Sequence, residues 1–105
     1  MELEAKQRQY IESKKQNFEG KLFKLKLDIT GFLSMYKNGE TGTDKWPKIK
    51  KEGTVVLVLQ IINDENRKKL YGEPVWVKIL AENEISFIWA KHIRHLSEYY
   101  FDALT

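Results

Sequence analysis

Three short apolar runs crowd the second half of the chain, at residues 54–62, 75–80 and 85–90. β-Branched and aromatic residues dominate them, and polar segments separate them. This pattern predicts consecutive antiparallel strands. In the second run Val75, Val77 and Ile79 face inward and leave Trp76 and Lys78 outward. Ala81-Glu82-Asn83-Glu84 is a tight polar turn into the third run. In the first, Val55, Leu57, Leu59 and Ile61 form an uninterrupted apolar face. The opposite face, Thr54, Val56, Val58, Gln60 and Ile62, is half apolar, so the strand calls for cover on both sides, and the N- or C-terminal helix is expected over its outer side. The outward residues Val56, Val58, Trp76 and Trp89 then either pack under such a helix or form part of a binding surface.

Upstream, residues 2–17 are rich in Gln, Lys and Glu and free of Gly and Pro. They predict a helix with a thin apolar stripe of Leu3, Tyr10, Ile11 and Phe18, laid on the surface of the barrel or across one of its ends. Glu19-Gly20 ends it. Phe23, Leu25, Leu27 and Ile29 alternate with Lys24, Lys26, Asp28 and Thr30, which predicts one half-buried strand. Gly31 allows a bend before a second strand over 32–36, and Asn38-Gly39 predicts a hairpin turn. Trp46-Pro47 cannot belong to a central strand, because Pro47 lacks an amide proton.

The C-terminus reads two ways. Trp89, Ile93, Leu96, Tyr100 and Leu104 recur at helical spacing, which suits one helix over 90–103. Alternatively, 91–93 form a turn, Arg94-His95-Leu96 a short closing strand, and Ser97 caps a short helix over 98–103. We favour the second.

At 105 residues the chain fits one domain: a helix over 1–18, the β structure over 22–96 and a helical end over 97–105. Without cysteine, disulfides and thiol chemistry are excluded. The charged N-terminus is no signal peptide, and no apolar run spans a bilayer, so a cytoplasmic protein with no membrane partner is expected. Residues 1–53 carry 12 Lys/Arg against 8 Asp/Glu, while residues 54–105 carry 6 against 7. The basic excess sits at Lys45, Lys48, Lys50 and Lys51 around Trp46, and at Arg67, Lys68 and Lys69 before Tyr71. Rings that stack bases beside cations that hold phosphates are the raw material of RNA binding. The competing reading of Trp46 is a plug at one end of the barrel.

The layout of strand, long excursion, three consecutive strands, helical turn and last short strand resembles an SH3-like small barrel. The stretch Ser86-Phe87-Ile88-Trp89-Ala90-Lys91-His92-Ile93 resembles that family's late strand and turn. The resemblance implies that Ile88 and Ile93 are core, that Trp89 and His92 replace a surface proline and tyrosine, and that Trp76 matches the binding tryptophan. The first loop lacks the family's aromatic-acidic motif, and the excursion is basic. The chain also resembles PUA-like barrels, which often bind RNA. In size, helical ends and lysine content it is similar to the PrgU-like proteins of Gram-positive conjugative plasmids, which implies an RNA-linked regulator.

Enzyme chemistry has little support. His92 and His95 are three apart but lack a third metal ligand at matching spacing, and Glu82 and Glu84 read as solvated hairpin residues. The expectation is a mainly β protein, α+β at its margins: a small SH3-like or PUA-like barrel of five to six mostly antiparallel strands with an N-terminal helix and a short C-terminal one. It is non-enzymatic, without cofactor or metal, from a bacterium, plasmid or phage. It binds RNA through Lys45, Trp46, Lys48, Lys50, Lys51, Arg67, Lys68, Lys69 and Tyr71. The alternative is a protein-interaction module or host-protein inhibitor that uses Trp76, Trp89, His92, Tyr99 and Tyr100, with a second copy of the chain as one admissible partner.

Overall fold

The structure, a computed structural model, describes residues 2–33, 47–65 and 72–104, and side chains from residue 9 onward. The three apolar runs are strands β4 (Val55–Asn63), β5 (Val75–Ala81) and β6 (Glu84–Ala90). With β1 (Leu22–Leu25) and β7 (Phe101–Ala103) they form an antiparallel sheet of order β6-β5-β4-β1-β7. A two-stranded ribbon, β2 (Ile29–Gly31) with β3 (Lys48–Lys50), stands apart. It meets β6 through a bridge in which Phe32 and Phe87 exchange two backbone hydrogen bonds of 2.8 Å. The described strands thus make an open sheet and a ribbon, and no closed barrel is formed among them.

The β5–β6 hairpin follows its sequence closely. Glu82 and Asn83 form the two-residue loop with φ of 53° and 61°, the pair of positive values that a type I′ turn needs. Val75, Val77 and Ile79 are fully buried, as their alternation predicts. β4 departs from its apparent pattern. Val56, Val58 and Ile61 enter the core, while Val55 and Leu59 are exposed and Leu57 is half-buried. The cause is a bulge: Val58 pairs with Ile79 and Gln60 with Lys78, which leaves Leu59 as the extra residue. The phase of the strand therefore changes within it. The face read as outward between 54 and 58 is the core face.

That face receives the cover. Ile11 from α1 (Glu2–Lys15) and Phe18 beyond it join Ile93 and Leu96 over the sheet and pack with Phe101 of β7. Phe18, Phe23 and Phe101 form a ring cluster with centroids 5.2–6.3 Å apart. Cover by terminal segments is thus present, but on the side of Val56 and Val58.

The alternation over 23–30 does not make one strand. β1 ends at Leu25, the chain bends through Lys26–Asp28, and Ile29 opens the ribbon with a different partner, Lys50. Asp28 fixes the bend by accepting the Glu52 amide at 2.7 Å. The C-terminus follows neither sequence reading. Residues 91–94 turn, Leu96–Tyr100 form one π-helical turn, and Phe101–Ala103 are extended as β7 against β1. An open edge of β1 offers three residues backbone pairing, and extension swings Phe101 into the ring cluster, which further helix would not do. The expected closing strand at 94–96 and helix over 98–103 are therefore replaced. The second strand read over 32–36 is described only to Leu33, where Phe32 makes the bridge, and the Asn38-Gly39 turn lies outside the described residues.

Candidate functional site

Two tryptophans share one carboxylate. Counting equally outward from the type I′ turn sets Trp76 opposite Trp89 on the face away from the core. Both indole N–H groups donate to the same Oδ2 of Asp64, at 3.1 Å from Trp76 and 2.9 Å from Trp89. Asp64 follows the last residue of β4 and is buried. Its amide donates to Pro74 O at 2.9 Å and closes the base of the β4–β5 connection. Phe32 packs edge-on against Trp76, with ring centroids 5.9 Å apart. Trp76 is only 2% exposed and Trp89 is half-buried. The N–H edge of each indole is thus turned inward to the carboxylate.

The lysines of 48–51 are engaged by acids. Glu84, at the start of β6, takes Lys48 Nζ at 2.6 Å on one oxygen and Lys50 Nζ at 3.2 Å on the other. Lys51 lies 3.7 Å from Asp28. These are different environments. Lys48 and Lys51 are exposed, while the Lys50 side chain is only 4% exposed. Its stem passes beside Gly31, where an added Cβ would stand 3.3 Å from Lys50 Cε and 3.2 Å from Ser86 Oγ. Gly31 lets the ribbon approach β6 this closely. Hydrogen bonds from Lys48 and then Lys50 hold the Glu84 carboxyl below the usual range, and the bond to Glu84 raises Lys48. Glu84, read from sequence as a solvated hairpin residue, is in fact the half-buried clasp between ribbon and sheet.

The histidines lie on the turn after β6. His92, His95 and Tyr99 form a ladder of edge-on rings with 5.0 Å between successive centroids. His92 Nδ1 accepts the Glu73 amide at 3.4 Å, and Ile93 donates its amide to Glu73 O at 3.1 Å. Burial, then Arg94 and His95, push the His92 pKa down, which favours the neutral ring that this acceptor role needs. Gly72 adopts φ +81°, and an added Cβ would stand 2.5 Å from His92 Cε1. This turn and the end of the β4–β5 connection are therefore fitted to one another. Tyr99 is exposed, whereas Tyr100 is half-buried against the core and burial raises its pKa.

Of the residues singled out by sequence, the structure brings together Lys48 with Lys50, and Trp76 with Trp89. Lys45, Trp46, Arg67, Lys68, Lys69 and Tyr71 lie outside the described residues. The chain enters both of those segments from the indole corner. Phe32, which touches Trp76, stands two residues before one, and Asp64, which binds both indoles, stands two residues before the other. Comparison with protein-family models, curated proteins and solved structures finds no match to this chain. Sequence reasoning missed Asp64, Phe32 and Glu84 as partners of the site. Asp64 carried one signal: it is an acid at the end of a strand whose neighbour holds one of two opposed tryptophans.

Proposed function

We propose that this chain is a small non-enzymatic regulatory protein that binds RNA on an SH3-like β framework, in keeping with a plasmid- or phage-encoded role. One observation carries the reading. Phe32 and Asp64, each two residues before one of the basic-aromatic stretches 34–46 and 66–71, meet at the Trp76–Trp89 corner, which supports a shared binding surface for the two stretches. The sheet order supports the framework: the first strand sits between the last strand and the long fourth one, and a two-residue hairpin and a helical turn follow. A PUA-like barrel is the other framework that its composition suits.

Within the described residues the exposed Lys48 and Lys51 are the cations this surface offers, while Lys50 serves the clasp with Glu84. Reversing Lys50 would therefore report on folding. The test changes Lys45, Arg67 and Lys68 together to Glu and measures retention of single-stranded RNA by electrophoretic shift across a salt series. The wild type should bind with a salt slope of about −0.7 per phosphate contact. The variant should bind at least tenfold more weakly, a rough figure for losing several phosphate contacts, with an unchanged far-ultraviolet spectrum. Unchanged retention in the variant overturns the assigned surface.

A second reading, a protein-interaction module, has the ladder of His92, His95 and exposed Tyr99 in its favour. Trp76 adds little to it, because its ring is covered and its N–H is already bonded. A wild type that retains no RNA at moderate salt makes this the leading reading.

A further inference from the structure

The sheet face away from the core has two unlike halves. One is the covered indole corner. The other is a bare aliphatic row. Strand pairing sets Leu22 opposite Leu57, Leu57 opposite Leu80, and Leu80 opposite Ile85. Leu104, one residue beyond β7, donates its amide to Leu22 O at 3.5 Å and extends the row to the last strand. Five aliphatic residues, four on strands and Leu104 just beyond β7, therefore form a row across the sheet. Leu57 is half-buried, and the other four are between 38% and 50% exposed. The Cα envelope is only 19 Å in its shortest dimension. That leaves room for the sheet and roughly one covering layer at about 10 Å spacing, and the layer lies on the core side.

We propose that this row is the interface of a symmetric homodimer, in which two copies pack these sheet faces together. Two arguments select a second copy as the occupant. The first is area. The row with neighbouring Val55 exposes on the order of 400 Å² of aliphatic surface, about the apolar half of the roughly 800 Å² per partner that a standard interface buries. The second is self-complementarity. The row reads Leu104, Leu22, Leu57, Leu80, Ile85 and is nearly palindromic about β4. A two-fold axis parallel to β4 stacks Leu57 on its own copy, Leu22 on the partner's Leu80, and Leu104 on the partner's Ile85.

The same operation aligns charges. Lys24 lies two residues from Leu22 along β1, and Glu82, the first residue of the turn after β5, lies two residues from Leu80, on the same side of the row. Both are exposed. The axis sets Lys24 of one copy against the partner's Glu82, twice per dimer. Isologous contacts of this kind close on themselves and bury the row without leaving a free face.

The experiment is sedimentation equilibrium on the full chain from about 10 µM to about 500 µM, which spans the affinities of weak interfaces of this size. The wild type should shift from monomer to dimer, and stop there. Leu80→Glu and Leu22→Glu, made singly, should each raise the dissociation constant about tenfold or more, because a carboxylate replaces a central aliphatic contact. Both positions are exposed in the monomer, so circular dichroism should show them folded. Lys24→Glu and Glu82→Lys should each weaken the dimer, and the double variant should recover it. A wild type that stays monomeric throughout overturns the proposal. So does a dimer that is indifferent to folded Leu80→Glu, which would move the interface elsewhere. So does assembly beyond two copies.

Discussion

Asp64 decides the most at the scale of single residues. One carboxylate oxygen holds two indoles that come from different strands, so the side chain ties the end of β4 to both strands of the hairpin. Its removal leaves one buried and one half-buried donor without that acceptor. Asp64→Ala should cost about 2–4 kcal/mol, while Asp64→Asn keeps an oxygen acceptor and should cost about half as much. Urea unfolding followed by tryptophan fluorescence checks both values, and a cost below about 0.5 kcal/mol for the alanine variant would show that the shared bonds contribute nothing net. Part of this site was legible in the sequence. The turn at Glu82–Asn83 is recognisable, and it makes Trp76 and Trp89 cross-strand partners. Asp64 was not legible as their acceptor, because Asn63-Asp64-Glu65-Asn66 is an ordinary polar string until the fold closes it onto the hairpin. Lys50 shows the same limit. A lysine among lysines reads as solvated, and only the pairing of β2 with β3 beside β6 buries it.

Among the elements, β4 and the C-terminal segment diverge most from their local patterns, for different reasons. In β4 the pairing with β5 selects the face, and one extra residue resolves the conflict between two apolar registers. The bulge has a checkable consequence. Deleting Leu59 removes the unpaired residue and leaves Val56, Val58 and the former Ile61 in one continuous alternation, with every partner in β5 preserved. That deletion should fold, at a cost of no more than about 1–2 kcal/mol, because loss of an exposed side chain is cheap and no core position changes face. Deleting Lys78 from β5 removes an equally dispensable side chain but has no bulge to absorb it. It turns half of β5 over and should leave the chain without a cooperative unfolding transition. Far-ultraviolet circular dichroism with urea titration separates the two. At the C-terminus the helical spacing of Ile93, Leu96 and Tyr100 is real and is used for one wide turn. Edge pairing with β1 then overrides it at Phe101. Propensity speaks for residues one turn apart; it carries no information about an edge strand at the far end of the chain, Leu22–Leu25, that needs a partner.

Over the whole molecule, the apolar contacts are unevenly spread. Among the described residues the core cluster draws on α1, β1, β4, β5, β6, the turn after β6, and β7, and the ribbon adds only half-buried Ile29 as a hydrophobic residue packed against it. The ribbon is held instead by the Phe32–Phe87 bridge and by Glu84 gripping Lys48 and Lys50. Polar clasps of this kind open more readily than a packed core, so the chain should have two tiers of stability. Backbone amides paired within β4–β5–β6 should exchange with solvent only through global unfolding. Amides paired between residues 29–31 and 48–50 should exchange through a smaller opening that leaves the main sheet intact. The clasp is also pH-dependent. The Glu84 pKa is depressed in the folded state, so its contribution is complete above the ordinary value of 4.5 and is lost as pH falls through the lower folded value. Ribbon protection factors should therefore drop in acid before those of the central strands. Glu84→Gln should reproduce that drop at neutral pH, since the amide keeps the shape and loses the charge that Lys50 needs in its buried position. Hydrogen exchange read by NMR on the wild type and this variant gives the answer residue by residue. Equal protection of ribbon and central strands would mean that the clasp is as strong as the core. A selectively opened ribbon would place the mobile part of the molecule at Phe32, beside the corner where Asp64 holds Trp76 and Trp89.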